Sequence, residues 1–437
     1  MSDPATAKIW FDASTVKKLR GHSPVGLTRV ESNVLRGALE FPESIARFCT
    51  FNRYGKKIEE LNRSVVQKLL DQYGIAGEAG HGVQDVPRRF ARTVGKAIER
   101  NLRVVSRQAI ASSKNALGLD RSFPNWKPGD VFVISGATWD SIDPKFLEHF
   151  VVDHGLKMVA IIADMIPVLF PHQFQDANTV DQFTRFAECV ARHSSLALSI
   201  SQSTQRDFDQ FAESLGVQPQ ASQVIYLGEE PATKVDARPA NLPVELGQGN
   251  FVVSVSTIQV RKNHQLLYQL WRRFAEEGRT DIPRLVLVGS PGWMTNDLRQ
   301  QIAKDPLVQD TILVLNHVSD EQLAWLYENC RFSLYPSLYE GWGLPIVESL
   351  HRFKPCIASD TSSMPEASQG LALHLDPLDF RQWYDAILRW SSNPMELAAQ
   401  SARIRANFRH RSWEEFGSEF CSRVAEIAQQ PSLVRAA

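Results

Sequence analysis

Two glutamates, Glu340 and Glu348, bracket a glycine turn in the segment SLYEGWGLPIVESL, residues 337–350. The turn is Gly341-Trp342-Gly343, and Pro345 suits the first turn of a helix that would begin there. Backbone N–H groups at a helix entrance bind phosphate or sugar oxygens, and carboxylates accept hydrogen bonds from hydroxyls. The pattern indicates a site for the two sugars of a nucleotide sugar. The structural alternative is that Glu348 complements the helix dipole and that Glu340 is a loop charge.

Two further turns follow apolar runs in the same half of the chain. Arg261 and Lys262 lie just beyond the run Phe251–Val255, where cations can neutralise a diphosphate and stabilise it as it departs. Gly289 opens a glycine turn after the run Arg284–Val288, without the GxGxxG pattern of dinucleotide sites. Each turn alone also fits an ordinary surface loop. Since all three end successive strands, we expect them at the ligand-binding edge of one sheet.

The elements that must position these residues are short apolar runs that alternate with helical patterns. Many runs are apolar throughout, which is typical of strands buried on both faces. Strand–helix repetition predicts doubly wound parallel sheets. The predicted strands are Lys8–Asp12, Val131–Ser135, Met158–Ile162, Leu196–Ile200, Gln223–Tyr226, Phe251–Val255, Arg284–Val288, Thr311–Leu315, Phe332–Tyr335, Pro355–Ala358 and Ala372–Leu375. They are too many for one sheet, so we predict an α/β chain with two Rossmann-like domains.

Composition limits the classes of protein that remain. The 437 residues are 43% hydrophobic and 22% charged, which supports a large core and excludes disorder. A net charge of -1 disfavours nucleic acid as a partner. The five cysteines are scattered and form no CxxC pair, as expected in a reducing compartment. No secretory signal and no apolar run long enough to span a bilayer are visible. We therefore expect a cytoplasmic protein.

One stretch, Val86 to Lys114, interrupts the alternation. The stretch is typical of a basic amphipathic helix, because it holds eight basic residues, only one glutamate, and apolar residues that would form one face. We predict that residues 86–114 form a helical insertion that contacts an anionic membrane surface, which would make the protein peripheral at the cytoplasmic face. The alternative is a solvated helix on the domain surface. Asp207-Phe-Asp209, the only Asp-x-Asp pattern, is interpreted as a solvated helix face rather than a metal site.

The second half resembles the retaining family-4 glycosyltransferases of the GT-B fold. The resemblance rests on VSTIQVRKNHQLLYQLW, LVLVGSPG, VSDEQLAWLYENCRFSLYPSLYEGWGLPIVESL and ASDTSSMPEASQGLALHLDP. The first half is similar, more weakly, to the subgroup that builds polysaccharides, through IWFDAS, GLTRVESNVLRG and ADMIPVLFPHQF. The resemblance implies an acceptor-binding domain at 1–230, a linker at 231–250 and a nucleotide-sugar-binding domain at 251–411. It implies two doubly wound domains that face a cleft, and a last helix, 412–437, that packs back on the first domain.

The resemblance also implies roles for individual residues. The implied catalytic residues are Glu340, Arg261 and Lys262. The implied donor-binding residues are Glu348 at the ribose, Val318 near the base, and Gly341, Trp342, Gly343, Leu344 and Gly289 around the donor. The implied acceptor-side residues are Gly26, Asp164 and His172. Two departures from the family pattern affect the acceptor side and the cation pair: Ala163 precedes Asp164, and Ser256-Thr257 stands where many relatives carry an arginine.

The implied activity is transfer of a hexose, with retention of configuration, from a nucleoside-diphosphate sugar to a hydroxyl of a growing lipid-linked glycan. The resemblance favours GDP-mannose as the donor. No cofactor and no metal are expected, because Arg261 and Lys262 can carry out the work of a divalent ion. Two alternatives remain open. One is an inverting GT-B transferase or a nucleotide-sugar 2-epimerase, and the other is a catalytically silent nucleotide-sugar-binding regulatory subunit.

Overall fold

The computed structural model describes residues 7–18, 26–51, 57–74, 124–229, 235 and 237–431. Predictions that concern residues 86–114 lie outside the described residues, as does part of the predicted linker. The chain divides into two compact units. Unit 1 is Met1–Val159 with Gly417–Ala437, and unit 2 is Ala160–Phe416. The predicted domain boundaries at 230, 250 and 411 stay predictions.

The strands form two sheets. The first has the order β3-β2-β1-β4-β5-β6-β7 and the second has the order β10-β9-β8-β11-β12-β13. The strands are β1 Ile9–Asp12, β2 Ala46–Phe51, β3 Ile58–Leu61, β4 Val131–Ile134, β5 Lys157–Ile162, β6 Ser194–Ser199, β7 Ser222–Val224, β8 Phe251–Val255, β9 Arg284–Val288, β10 Ile312–Leu315, β11 Ser333–Tyr335, β12 Cys356–Ser359 and β13 Leu373–Leu375.

Helices follow most strands, as the alternation of patterns predicts. The helices are α1 Ser14–Lys18, α2 Leu27–Ala38, α3 Arg63–Gly74, α4 Pro144–Asp153, α5 Ile166–Leu169, α6 Ala177–His193, α7 Gln202–Ser214, α8 His264–Glu276, α9 Asn296–Lys304, α10 Asp320–Asn329, α11 Leu344–His351, α12 Met364–Ala367, α13 Phe380–Ser392, α14 Pro394–Asn407 and α15 Trp413–Gln429. In the part of the chain that the structure describes, none of them has both the length and the apolar character that a bilayer crossing requires.

The second sheet is parallel throughout its paired strands. β8 lies between β9 and β11, with Val253 opposite both Val286 and Ser333. Both β8 and β9 are buried along most of their length, because helices supply apolar side chains to both faces. Trp271 and Phe274 of α8 and Trp383 of α13 belong to one of these layers. Parallel strands end at the same edge, so the loops that follow β8, β9 and β11 lie side by side.

The first sheet departs from the prediction at one edge. β1 pairs in parallel with β2 and β4, but β3 runs antiparallel to β2. Neither β2 nor β3 was predicted from the sequence. Each of the predicted strands is present, and no end differs from its prediction by more than two residues. The second part of α15 belongs to unit 1, where Cys421 and Gly417 lie against Gly37 of α2.

The five cysteines are buried side chains. None of them forms a disulfide, and this holds for Cys49, Cys189, Cys330, Cys356 and Cys421. Burial raises the pKa of the Cys330, Cys356 and Cys421 thiols to about 12, so these side chains are neutral packing groups.

Candidate functional site: a cation–carboxylate cluster beside a glycine loop

The loops that follow β8 and β11 meet at the carboxyl edge of the second sheet. A 3-10 turn, Val260–Lys262, follows β8, and the segment 337–343 follows β11. The backbone N–H of Leu338 donates to the carbonyl of Arg261 at 2.8 Å, which ties the two loops together. The predicted meeting of Arg261, Lys262 and Glu340 is therefore present, and it follows from the adjacency of β8 and β11.

The three side chains form one ion cluster. Glu340 is 7% exposed and accepts from both cations: Lys262 Nζ lies 2.6 Å from Oε1 and Arg261 Nη1 lies 2.6 Å from Oε2. Tyr335 donates its hydroxyl to Oε1 at 3.0 Å and accepts from Lys262 Nζ at 2.9 Å. With two cations and one carboxylate, the cluster carries a formal charge of about +1. The excess of cations over Glu340 favours the binding of a further anion.

Burial and ion pairing act in opposite directions on the pKa values of all three groups. Burial works against the charge of Glu340, but Arg261 and Lys262 outweigh burial and lower its pKa to about 2. Burial likewise opposes the charge of Arg261, yet Glu340 raises the pKa of that guanidinium. Burial lowers the pKa of Lys262, and Glu340 partly restores it. Glu340 thus favours the charged forms of two desolvated cations.

The partners of Glu340 differ from those expected from the sequence. The sequence analysis assigned its carboxylate to sugar hydroxyls, whereas in the structure Lys262, Tyr335 and Arg261 already occupy about three of its four acceptor positions. The physical reason is that two buried cations require a counter-charge close by. The geometry makes Glu340 the group that fixes the cations, and its role in transfer stays a prediction.

The glycine loop is braced from two sides. A side chain at Gly341 would overlap the carbonyl oxygen of Ala163, so only glycine fits where the loop passes that backbone. Gly343, with φ of 134°, turns the chain into α11. Ser362 Oγ accepts from the Glu340 N–H at 2.9 Å, and Ser363 Oγ donates to the Trp342 carbonyl at 2.6 Å. These serines were not predicted as site residues, although they lie in a segment that carried the family resemblance.

The predicted donor-side residues surround this loop. Glu348 lies on α11, half-buried, and accepts from the hydroxyl of Tyr327 at 3.2 Å. Trp342 lies 5.4 Å from the ring of Tyr226. Leu344 begins α11, Val318 packs on the layer formed by α10, and Gly289 follows β9. A side chain at Gly289 would overlap the carbonyl of Ser256, so close packing alone requires glycine there, and its contact with the donor stays a prediction.

The predicted acceptor-side residues fall in both units. Gly26 is in unit 1, where it precedes α2 with φ of 51° and ψ of -126°, a conformation that favours glycine. Asp164 and His172 are in unit 2. Burial raises the pKa of Asp164, the charge of Arg261 opposes that rise, and its carboxylate accepts from Ile166 N–H at 3.0 Å. His172 is exposed, with its ring 6.3 Å from that of Phe170.

The Asp207-Phe-Asp209 pattern was misread as a solvated face. Asp207 is half-buried and accepts a 2.6 Å hydrogen bond from the hydroxyl of Tyr339, the residue directly before Glu340. Asp209 Oδ1 is buried. Burial and Asp207 together raise the pKa of Tyr339 to about 12. Asp207 therefore positions the loop that contains Tyr339. No sequence motif predicts this contact.

Comparison with known proteins places this cluster inside a recognised domain. Residues 243–410 match the family model described as glycosyl transferases group 1. O-antigen chain mannosyltransferase B of Escherichia coli is 30% identical over 184 residues, which is 42% of this chain and 48% of the relative. Serotype-specific mannosyltransferase WbdA of Escherichia coli is 25% identical over 269 residues, 58% of this chain and 32% of the relative. The chain thus spans half or less of the length of these curated relatives.

A solved structure matches nearly the whole chain. HepE of Anabaena, determined with UDP and glucose, has a TM-score of 0.58 at 16% identity, and the match covers 96% of this chain and 99% of HepE. This likeness concerns the fold, and it confirms the predicted α/β class with two parallel-sheet domains of the GT-B type. The match to the family model covers every residue of the Arg261, Lys262 and Glu340 cluster and the whole glycine loop. Residues 243–410 are therefore similar, as a domain, to the glycosyl transferases group 1 family.

Proposed function

We propose that the chain is a mannosyltransferase that moves a hexose from a nucleoside-diphosphate sugar to a hydroxyl of a growing surface polysaccharide. The observation that carries this proposal is the pairing of Arg261 and Lys262 with buried Glu340 at 2.6 Å each, at the sheet edge of a glycosyl transferases group 1 domain. The names of the relatives, which are O-antigen and serotype-specific mannosyltransferases, support mannose and an O-antigen type of glycan.

The cluster suits the charge that develops during transfer. As the bond between the sugar and the diphosphate breaks, negative charge builds on the departing phosphate oxygens. Arg261 and Lys262 are already desolvated and fixed by Glu340, so they can stabilise that charge with little rearrangement. Because the cluster supplies this positive charge, we propose that transfer needs neither a metal nor another cofactor.

The remaining assignments follow from position around the cluster. We propose that the N–H groups of the loop from Gly341 to Leu344 and the entrance of α11 bind the donor, with Glu348 at the ribose. Val318 would contact the base through its backbone. Gly26, Asp164 and His172 would serve the acceptor side. The departing phosphate oxygens would accept the proton of the acceptor hydroxyl, so that transfer proceeds with retention and without a protein nucleophile.

Three finer parts of the proposal rest on the family resemblance. They are retention of configuration, GDP-mannose as donor, and a lipid-linked glycan as acceptor. We further propose that the protein works at the cytoplasmic membrane face, with residues 86–114 as the lipid contact. Sedimentation with anionic and neutral vesicles tests that contact, and equal negligible binding to both would refute it.

The test of the function is a transfer assay with a panel of nucleotide sugars and an isolated glycan acceptor. We expect transfer from a mannose donor, with the anomeric configuration of the product, read by NMR, matching that of the donor. Inversion would indicate the inverting class, and a change at the sugar C2 in the absence of acceptor would indicate an epimerase. If no donor is transferred and none is hydrolysed, the regulatory-subunit alternative replaces the proposal.

The matched variants for this assay are Lys262→Met and Lys304→Met. Lys262→Met removes a cation of the cluster and keeps most of the apolar stem. A charge-assisted hydrogen bond is worth about 1.5–3 kcal/mol, so turnover should fall by about tenfold to a hundredfold. Lys304 is exposed at the end of α9, and its variant should keep wild-type turnover. Equal turnover of the two variants would show that the cluster does not serve transfer.

A further inference from the structure

A second set of ionisable side chains converges outside the residues proposed for transfer. Glu229 lies beyond β7, His351 is the last residue of α11, and His410 lies shortly before α15. Each offers one ligand atom, and these atoms all lie within 4.8 Å of one another. We propose that Glu229, His351 and His410 bind a zinc ion, which joins three segments that are distant in the sequence.

Two of the ligand atoms are buried and close together without a hydrogen bond. His351 Nδ1 lies 3.1 Å from Glu229 Oε2, and neither atom has a hydrogen-bond partner among the described residues. Glu229 is only 4% exposed. A buried polar atom without a partner costs about 1–3 kcal/mol, and a buried carboxylate requires a partner of opposite charge. A divalent cation between the two atoms would satisfy both.

The spacing fits tetrahedral coordination. Zinc binds imidazole nitrogen and carboxylate oxygen at about 2.0–2.2 Å, so two ligand atoms of a tetrahedral site lie roughly 3.4 Å apart. The 3.1 Å separation of Glu229 and His351 is close to that value. The ring of His410 is exposed and its centroid lies 4.4 Å from that of His351. Rotation of the exposed His410 side chain would bring one of its ring nitrogens within coordination distance of the ion. The fourth coordination position would then be open to water.

The ligand set selects the class of metal. Two imidazoles and one carboxylate suit a first-row divalent ion such as zinc, whereas magnesium and calcium prefer sites built from oxygen alone. The simpler alternative is an ion pair between a protonated His351 and Glu229. That alternative does not need His410, so the contribution of His410 separates the two.

The backbone around Glu229 is held before any ion binds. Glu229 N–H donates to the Arg411 carbonyl at 2.9 Å, and the Arg411 N–H approaches Glu229 Oε1 at 3.4 Å. Gly228 packs against the backbone of Trp413 so closely that a side chain would overlap it. Contacts of this kind fix the orientation of a ligating carboxylate. Zinc would then also link the C-terminal end of α11, the helix that follows the glycine loop, to the segment around Glu229.

The test uses the untagged full chain, freed of metal by dialysis against a chelator and titrated with zinc chloride by calorimetry. We expect one zinc per chain and a higher melting temperature with zinc, because an ion that binds the folded state stabilises it. Magnesium at the same concentration should have neither effect. Anomalous scattering at the zinc edge should place the ion among the three side chains.

His410→Ala is the decisive variant, since His410 is exposed and its loss should leave the fold intact, as circular dichroism can verify. Loss of this ligand should weaken zinc binding by at least about tenfold. His149→Ala, an exposed histidine on α4, should bind like the wild type. The proposal is overturned if the wild type binds no stoichiometric zinc, if His410→Ala binds as tightly as the wild type, or if the ion lies elsewhere. None of these outcomes depends on the proposed transfer activity.

Discussion

Glu340→Gln tests whether the carboxylate holds the two cations and, through them, the glycine loop. The change removes one charge and keeps the size of the side chain. The two cations would then be buried without their counter-charge, because Lys262 and Arg261 are only 12% and 18% exposed at their side chains. Removal of one partner from a buried ion pair typically destabilises the folded protein by about 3–5 kcal/mol.

The pKa of Glu340 gives a second estimate of the same quantity. It falls from the usual 4.5 to about 2, and one pKa unit corresponds to about 1.4 kcal/mol. Pairing therefore stabilises the folded protein by about 3 kcal/mol at neutral pH. Because the folded-state pKa is the lower one, this contribution is complete above about pH 4.5 and is lost as the pH falls towards 2.

Hydrogen exchange read by mass spectrometry provides the assay, since it reports local opening in a chain with two units. A loss of about 3 kcal/mol should speed exchange of β11 and the start of α11 on the order of a hundredfold at neutral pH. Glu276→Gln is the control, because the Arg272–Glu276 pair is exposed and spans 3.3 Å. Exposed pairs contribute about 0–1 kcal/mol. If both variants change exchange by the same small factor, the cluster does not hold the loop.

Two further changes follow from the structure. In unit 1, burial raises the pKa of Asp12 from 3.8 to about 6 and also raises that of Glu31. The contribution of Asp12 to stability is therefore present below about pH 3.8 and is lost as the pH rises through 6. Glu31→Gln should therefore raise the melting temperature more at pH 8 than at pH 5 in thermal scans, and a lower melting temperature at pH 8 would contradict this. Gly341→Ala should reduce transfer at least about tenfold, because the loop must move away from Ala163. Gly247→Ala, where a side chain meets only ordinary contacts, should leave transfer unchanged, and equal activities would contradict the close packing of Gly341.

Much of the second sheet could be predicted because its strands are buried on both faces. β8 and β9 were predicted with the bounds that the structure has, since continuous apolar runs between helical patterns leave few alternatives. β2 and β3 were missed. β3 is a short strand at the antiparallel edge with two glutamates in its middle, so its sequence lacks both the apolar run and a clear alternation.

The residues of the site were predictable, but their contacts were not. Arg261, Lys262 and Glu340 could be assigned to one edge because parallel strands end together. Their pairing joins residues 78 apart, and the choice of partner depends on side-chain distances that no local pattern encodes. The same holds for Asp207 with Tyr339. The convergence of Glu229, His351 and His410 leaves no short motif in the sequence.

The most direct test of the central claim is the binding of a nucleoside diphosphate to the cation cluster. Calorimetry with GDP and UDP should show that the wild type binds at least one of them, and that Lys262→Met binds it about tenfold to a hundredfold more weakly. Lys304→Met should bind like the wild type. Wild-type affinity in Lys262→Met, or no binding of either nucleotide by the wild type, would contradict the assignment of the cluster to the diphosphate.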